Sequence, residues 1–191
     1  MVMPAVNRRR TAREVRELIE QNPLVTPRYE LVDGELLVTP SPNHRHQEAV
    51  GILYVALRAY LNGERVGRVS TSPSDVELEP EFLSQPDLYV VSTDQWRRLD
   101  TDRVTRTLML AVEVLSPSSV RHDRVRKRPM YRRHVPDYWI IDLGARQVER
   151  WRPGDVTATI LTDTLEWHAA GASEPFRLDL PGYFAQIFDD G

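Results

Sequence analysis

The sequence predicts an α/β fold in which helices flank a central mixed β-sheet. Three observations lead to this fold class. Short β-prone runs recur through the chain, one long segment and one shorter segment have helical spacing, and Asp-Gly and Leu-Gly-Ala turn signals join neighbouring runs. Helical segments that alternate with β-prone runs are typical of a layered α/β domain.

The composition is that of a soluble globular protein with a sizeable core. The 191 residues are 41 % hydrophobic and 28 % charged. They predict one domain over 1–191, with a core at about 28–162 preceded by a helix and arm at 1–27. The chain has no cysteine, which excludes disulfides and thiolate chemistry and favours a reducing, cytoplasmic location. We expect no secretory signal and no membrane span.

The first elements are a helix and a hairpin. Thr11-Ala12-Arg13-Glu14 is a capping box, so we expect a helix over 12–21. The runs 28–32 and 35–38 are joined by Asp33-Gly34, a strong signal for a two-residue hairpin turn.

The longest helix is predicted at about 44–62, with Gly63 as its left-handed cap. Its apolar residues form one stripe, and His46 lies on that stripe one turn before the others. We therefore expect His46 to face the sheet.

Further elements follow at regular intervals. A polar connection separates the predicted strands at 87–91 and 108–115. The next helix is predicted at about 122–134, and Pro129 either bends this helix or lies in the first turn of a shorter one. The predicted strands lie at about 74–78, 87–91 and 108–115, then at 138–142 and 147–151 around a turn, and finally through the alternating residues Val156, Ala158 and Ile160. The tail at 180–184 is expected to pack back on the body.

Glu113 is the most informative residue, because it lies in an otherwise apolar eight-residue run, 108–115. A carboxylate buried there loses hydration at a cost of several kcal/mol on an order-of-magnitude scale, unless a cation or donors replace the water. Asp87 lies in similar surroundings on a neighbouring β-prone run. Two close carboxylates repel each other, and Mg²⁺ or Mn²⁺ would remove that cost.

The next helix provides cations near these acids. Asp123, Lys127 and Tyr131 recur at intervals of four and share a helix face. Lys127 is therefore the best candidate to hold a water molecule or a phosphate. Arg124 and Arg128 flank that face and are predicted to contact nucleic-acid phosphates.

Several separated blocks resemble a known family. The chain resembles the bacterial family labelled "putative restriction endonuclease", often called only a domain of unknown function, within the PD-(D/E)XK nuclease superfamily. The matching blocks, in order, are 29–36 with Ser41-Pro42 and His46, then Pro86-Asp87, 113–119, Asp123 with Lys127 and Tyr131, and 135–142.

The resemblance implies a restriction-endonuclease-like core with N-terminal and C-terminal β-hairpins. It implies that Asp87 and Glu113 are the metal-binding acids. Leu115 stands where the superfamily usually has its lysine, and the family pattern moves that lysine to the following helix, here Lys127. Glu30 and His46 match positions at the edge of the site.

Simpler structural roles exist for the same residues. Glu113 could be a buried ion-pair partner of Lys127 without any metal. Asp87 could cap a turn at the start of its strand. His46 on an apolar stripe is more often a hydrogen-bonded core histidine than a ligand, and Glu30 could face solvent.

The leading hypothesis is a magnesium-dependent or manganese-dependent endonuclease that hydrolyses DNA, with Asp87, Glu113 and Lys127 as catalytic residues. The alternative is a catalytically inactive nuclease-fold module that binds nucleic acid or a protein partner. An RNA-directed or structure-specific nuclease is a third possibility. A homodimer is expected, because one site per chain favours two chains on a duplex.

Overall fold

The computed structural model describes residues 9–21, 28–39, 43–99, 105–116 and 122–189, with only the backbone described at positions 28, 39, 122 and 123. Its helices are α1 (Ala12–Gln21), α2 (His44–Glu64), α3 (Thr93–Arg98), α4 (Arg128–His134) and α5 (Leu180–Phe188), with a π-helical segment, His122–Lys127, directly before α4. Its strands are β1 (Arg28–Val32), β2 (Glu35–Thr39), β3 (Gly67–Thr71), β4 (Val76–Glu79), β5 (Phe82–Ser84), β6 (Leu88–Ser92), β7 (Leu110–Val114), β8 (Tyr138–Asp142), β9 (Gln147–Trp151), β10 (Thr159–Leu161), β11 (Thr164–Trp167) and β12 (Phe176–Asp179).

The central sheet has six strands in the order β10-β9-β8-β7-β6-β3. Strands β7 and β8 run parallel, whereas the other neighbours are antiparallel. A second sheet has the order β2-β1-β5-β4, and β11 pairs with β12. This mixed sheet flanked by helices confirms the predicted α/β fold class.

The core lies on both faces of the central sheet because side chains alternate along each strand. From β7, Leu110, Val112 and Val114 pack with α2 and α5, whereas Ala111 packs with α4 and the second sheet. The first of these clusters also contains residues of β11, β12 and α5, including Trp167.

The N-terminal predictions are confirmed. Helix α1 has the predicted bounds, and its capping box is formed by the Thr11 N–H, which donates to Glu14 Oε2 at 2.8 Å. The β1–β2 hairpin turns at Asp33 and Gly34, whose φ angles are +51° and +76°. Both angles are positive, as the Asp-Gly turn requires.

Helix α2 begins where predicted but ends later. Asn43 caps its start by accepting a hydrogen bond from the His46 N–H at 2.9 Å. The left-handed residue at the other end is Arg65, with φ +58°, whose N–H donates to the Leu61 carbonyl. The prediction of Gly63 as the cap was therefore wrong, because the helix continues through Gly63 and closes two residues later.

The remaining differences concern short elements. The predicted polar connection after β6 contains α3, and β3, β5, β11 and β12 were not predicted. Val156 was placed in a strand, but it is 88 % exposed and precedes β10. The tail forms α5, whose Leu180 and Tyr183 are buried, so the prediction that it packs on the body is confirmed.

Pro129 occupies the first turn of α4, where no backbone N–H is needed. The shorter-helix alternative is therefore the observed one, and the segment before it is π-helical rather than α-helical. Among the helices of the described residues, none combines the length and the apolar character required to cross a bilayer.

Candidate active site

Strands β6 and β7 bring the two predicted acids together. The antiparallel register pairs Leu88 with Val112, and its continuation by one residue places Asp87 opposite Glu113. Asp87 Oδ2 accepts a hydrogen bond from the Val114 N–H at 2.9 Å. Asp87 is therefore held by the backbone of the residue that follows Glu113.

Glu113 is buried on the face of β7 that packs against α4. Its Oε1 lies 3.1 Å from Lys127 Nζ and accepts a hydrogen bond from the Tyr131 hydroxyl at 3.2 Å. The residue is only 2 % exposed. An ammonium group and a hydroxyl replace water at this carboxylate, as a buried charge requires.

Glu30 on β1 completes a cluster of charges. Its Oε2 lies 2.9 Å from Lys127 Nζ, and its Oε1 accepts a hydrogen bond from the Gln85 N–H. Lys127 is thus shared by Glu30 and Glu113, and all of these side chains are buried. We call Glu30, Asp87, Glu113 and Lys127 the acidic cluster.

Tyr131 supports Glu113 from within the core. Its hydroxyl lies 2.7 Å from Ser84 Oγ. Because the tyrosine proton is directed at Glu113, the serine hydroxyl donates to the tyrosine oxygen. Burial, reinforced by the negative charge of Glu113, raises the pKa of Tyr131 well above its usual range, so the hydroxyl remains a donor.

His46 reaches the cluster from the first turn of α2. Its Nε2 lies 3.0 Å from Asp87 Oδ2, and the residue is 3 % exposed. An ionised Asp87 only accepts, so Nε2 carries the proton in this contact. Nδ1 is buried and has no hydrogen-bond partner within the described part of the chain.

The structure therefore brings five predicted residues into one place: Glu30, His46, Asp87, Glu113 and Lys127. The backbone of Asp123 lies in the π-helical segment, but its side chain is outside the described residues. The ion pair between Glu113 and Lys127, which is the purely structural alternative, is present. It is compatible with either role.

The two arginines predicted to contact phosphates have partners inside the protein. Arg124 Nε donates to Glu149 Oε1 at 2.8 Å, and its Nη2 donates to Asp142 Oδ2 at 2.6 Å. Burial alone would lower the pKa of Arg124, but its bonds to Glu149 and Asp142 outweigh burial and raise it. Arg128 lies over the Trp151 ring, with Cζ 4.6 Å from the centroid.

Tyr131 and Ser84 are site residues that the sequence did not predict. Tyr131 is fully buried, and its hydroxyl binds Glu113. Its spacing of four residues from Lys127 was a signal that both side chains meet the same partner. No comparable signal marked Ser84, because its role depends on how β5 packs against α4.

The chemistry of the donors fits a hard divalent cation. Asp87, directly before β6, and Glu113 on the adjacent strand β7 provide carboxylate oxygens, and cysteine is absent. Within the described ranges, no group of three or more His, Asp or Glu side chains is arranged to hold a metal by itself. Mg²⁺ commonly uses one or two carboxylates and completes its shell with water or phosphate oxygens, so a pair of acids suffices.

Comparisons with known proteins identify the fold and the family of the chain. The fold matches the crystal structure of a "putative nuclease belonging to DUF820" from Anabaena variabilis ATCC 29413, with a TM-score of 0.71 and 19 % identity over 84 % of this chain and 92 % of that one. None of the curated proteins compared matches the chain. The model of the Uma2 family, described as "Putative restriction endonuclease", matches residues 16–177. Since this match covers most of the sequence, the chain belongs to the Uma2 family.

Proposed function

We propose that this protein is a metal-dependent endonuclease that hydrolyses phosphodiester bonds in DNA. Membership of the Uma2 family supports nuclease activity in general. The observation that carries the proposal is that Asp87, next to β6, Glu113 on β7 and Lys127 on the π-helical segment come together in the interior. Buried acids beside an ammonium are costly to a fold, and such groups concentrate at functional sites.

Asp87 and Glu113 would hold a Mg²⁺ or Mn²⁺ ion. Such an ion lowers the pKa of bound water and stabilises negative charge on a phosphoryl oxygen. The residues around the acids fix where they point. Val114 and His46 hold Asp87, whereas Tyr131 holds Glu113. Outer partners of this kind set the orientation of metal ligands and their affinity.

Lys127 would orient the attacking water or the scissile phosphate. Its ammonium group lies between Glu30 and Glu113, at 2.9 and 3.1 Å. Glu30 therefore holds Lys127 in position together with Glu113. A fixed ammonium lowers the energy of a phosphorane-like transition state without reorganising during the reaction.

The inactive-module alternative has one observation in its favour. Lys127 is only 5 % exposed and already has two carboxylate partners. A lysine so arranged can serve the fold alone. That alternative predicts nucleic-acid binding or self-association without cleavage, and no measurable affinity for Mn²⁺ by calorimetry.

The direct test is cleavage of supercoiled plasmid with Mg²⁺ or Mn²⁺, compared for the wild-type protein and Glu113→Gln. We expect the variant to lose about 10²- to 10³-fold in rate. The matched control is Glu149→Gln, which removes a buried carboxylate on β9 outside the acidic cluster. Equal cutting by all three proteins would reject the proposal.

The same assay can resolve the substrate. A panel of duplex DNA, single-stranded DNA and RNA separates a deoxyribonuclease from an RNA-directed enzyme. We also propose that two chains act together on a duplex, since each chain provides one site. Light scattering of the protein with and without DNA measures that assembly.

A further inference from the structure

A cavity lined by arginine and aromatic side chains lies beside the acidic cluster. Its volume is about 440 Å³, within the range of small-ligand sites. It is formed by the start of α2, the end of β7, the β8–β9 turn and the end of α5. Its polar lining comes from Asn43, Arg45, Ser116, Asp142 and Arg146, and Phe188 forms an apolar wall.

Two guanidinium groups meet at Phe188. The Cζ atoms of Arg45 and Arg146 lie 5.1 and 4.7 Å from the centroid of its ring. Stacking on an aromatic face restrains a guanidinium while its N–H donors, which lie in the plane of the group, point outward. Arg146 makes no ion pair with a described carboxylate.

The acid in the wall does not cancel this positive charge. Asp142 Oδ1 accepts a hydrogen bond from the Ala145 N–H, and Oδ2 binds Arg124. Burial opposes ionisation of Asp142, but these donors outweigh it and lower the pKa of the carboxyl group. Asp142 is therefore an anion already matched by Arg124, so it does not cancel the charge that Arg146 brings to the cavity. We call this site the arginine cavity.

The arginine cavity adjoins the site of the proposed chemistry. Asn43 caps the His46 N–H, and His46 contacts Asp87. On the other wall, Ser116 follows Val114, which holds Asp87, by two residues. A strand placed with one phosphate at Asp87 and Glu113 would therefore bring a neighbouring phosphate towards this cavity.

We propose that the arginine cavity binds a backbone phosphate of the nucleic-acid substrate, next to the phosphate that is cut. This inference rests on the proposed nuclease function and specifies how its substrate is held. Arg45 and Arg146 supply the planar, bidentate donors that suit a phosphate. On the π-helical segment and α4, in contrast, Arg124, Arg126 and Arg133 form ion pairs with the protein's own acids.

The test measures binding separately from cleavage. The wild-type protein, Arg146→Gln and Arg45→Gln are titrated into fluorescently labelled duplex DNA in EDTA, from 50 to 200 mM salt. We expect each variant to bind about tenfold more weakly at the low-salt end. The slope of log K against log salt should fall by about 0.9 for each phosphate that the variant no longer neutralises.

Arg97→Gln is the matched control, because it removes the same charge at a distant place. Arg97 lies on α3, which follows the end of β6, whereas Asp87 precedes its start. Arg97 is exposed and paired with Asp94. If Arg146→Gln and Arg97→Gln give the same slope as the wild-type protein, the inference is overturned. Absence of nucleic-acid binding by the wild-type protein would also overturn it.

The outcomes separate this inference from the proposed function. Binding with a reduced slope but no cleavage would keep the phosphate site and reject the nuclease. Cleavage by the wild-type protein, with a salt slope that the Arg146→Gln substitution leaves unchanged, would keep the nuclease and reject the phosphate site. Inorganic phosphate, added at constant ionic strength, tests for a small free anion. If phosphate displaces DNA from the wild-type protein but not from Arg146→Gln, DNA and phosphate compete for the arginine cavity, as the proposal requires. If phosphate binds the wild-type protein through Arg146 but leaves its affinity for DNA unchanged, the cavity holds a free anion and the strand proposal fails.

Discussion

The acidic cluster and the arginine cavity lie at the same end of the central sheet, but they differ in the sign and the burial of their charges. In the acidic cluster, Lys127 is shared by Glu30 and Glu113, and every member is buried. In the arginine cavity, two partly exposed arginines lie against one aromatic ring. One region concentrates negative charge in the interior, and the other presents positive charge near solvent.

Burial explains why these two regions suit different tasks. A buried charge must have fixed partners, since the desolvation cost is otherwise several kcal/mol. Fixed partners place Glu113 and Lys127 accurately, which is what a reacting centre needs. A partly exposed guanidinium needs no permanent acid and can exchange water for a ligand. The comparison therefore separates positioning for chemistry from capture of the substrate.

Replacing Lys127 should have the largest effect on this comparison. Lys127→Met leaves Glu30 and Glu113 buried without their shared ammonium, and we expect a loss of about 3–5 kcal/mol in the free energy of unfolding. Urea denaturation at pH 7 measures this loss. The double variant with Glu113→Gln should recover part of it, because one uncompensated carboxylate is then removed.

The control for that prediction is Arg97→Met, which breaks an exposed ion pair with Asp94. We expect at most about 1 kcal/mol there. If Lys127→Met costs no more than Arg97→Met, the acidic cluster is not held together by the ammonium. The contrast with the arginine cavity would then disappear.

The sequence predicted Asp87 and Glu113 because each conflicts with its surroundings, whereas the place of Glu30 was implied only by the family resemblance. Glu113 interrupts an apolar run, and a buried acid needs a partner, which limits the candidates to nearby cations and metals. The period of four then singled out Lys127. Local conflicts of this kind are visible in a single sequence, and the structure shows the resulting contacts.

The arginine cavity could not be predicted in the same way. Arg45 and Arg146 are 101 positions apart in the sequence, and only packing of α2 against α5 and the β8–β9 turn brings them to Phe188. Arg124 and Arg128 were predicted to contact nucleic-acid phosphates. In the structure, Arg124 forms an ion pair with Glu149 from the distant strand β9, and Arg128 lies over the Trp151 ring.

The elements of the fold, like the two sites, could be predicted only where the sequence carries a local signal. The Asp33-Gly34 hairpin and the long helix α2 have strong local signals. Strand β3 has few apolar residues and forms because it pairs with β6 along its whole length. Helix α3 is six residues long and has no buried side chain, so it leaves no periodic pattern to detect.

Changing His46 should have the second-largest effect, by loosening Asp87. His46→Leu removes the Nε2 donor at 3.0 Å from Asp87 Oδ2, and we expect Mn²⁺ affinity to fall about 10- to 100-fold. His46→Gln retains an N–H donor and should lose less. Isothermal titration calorimetry compares the three proteins. Equal losses in both variants would mean that His46 only fills space, and an unchanged affinity would mean that it does not position Asp87.

Removing the Tyr131 hydroxyl should have the smallest effect, and Tyr183 provides its control. Tyr131→Phe takes one donor from Glu113, whereas Tyr183→Phe takes one from the Ala49 carbonyl, away from the acidic cluster. Each should cost about 1 kcal/mol of stability. Only Tyr131→Phe should also slow cleavage, by roughly fivefold, since about 1 kcal/mol of support for Glu113 is removed.

The pH dependence shows whether the two hydroxyls are equivalent in the fold. Burial raises the pKa of both Tyr131 and Tyr183, so the native state retains these protons more strongly than the unfolded chain does. Their stabilisation is complete below the usual tyrosine pKa of about 10 and is lost as the pH rises above it, by about 1.4 kcal/mol per pH unit for each group. Each Phe variant should therefore show a shallower alkaline decline in the free energy of unfolding, measured from pH 9 to 11. A shallower decline in both variants, with slower cleavage in Tyr131→Phe alone, assigns the catalytic contribution to the contact with Glu113. Slower cleavage in both variants would instead attribute the effect to general loss of stability.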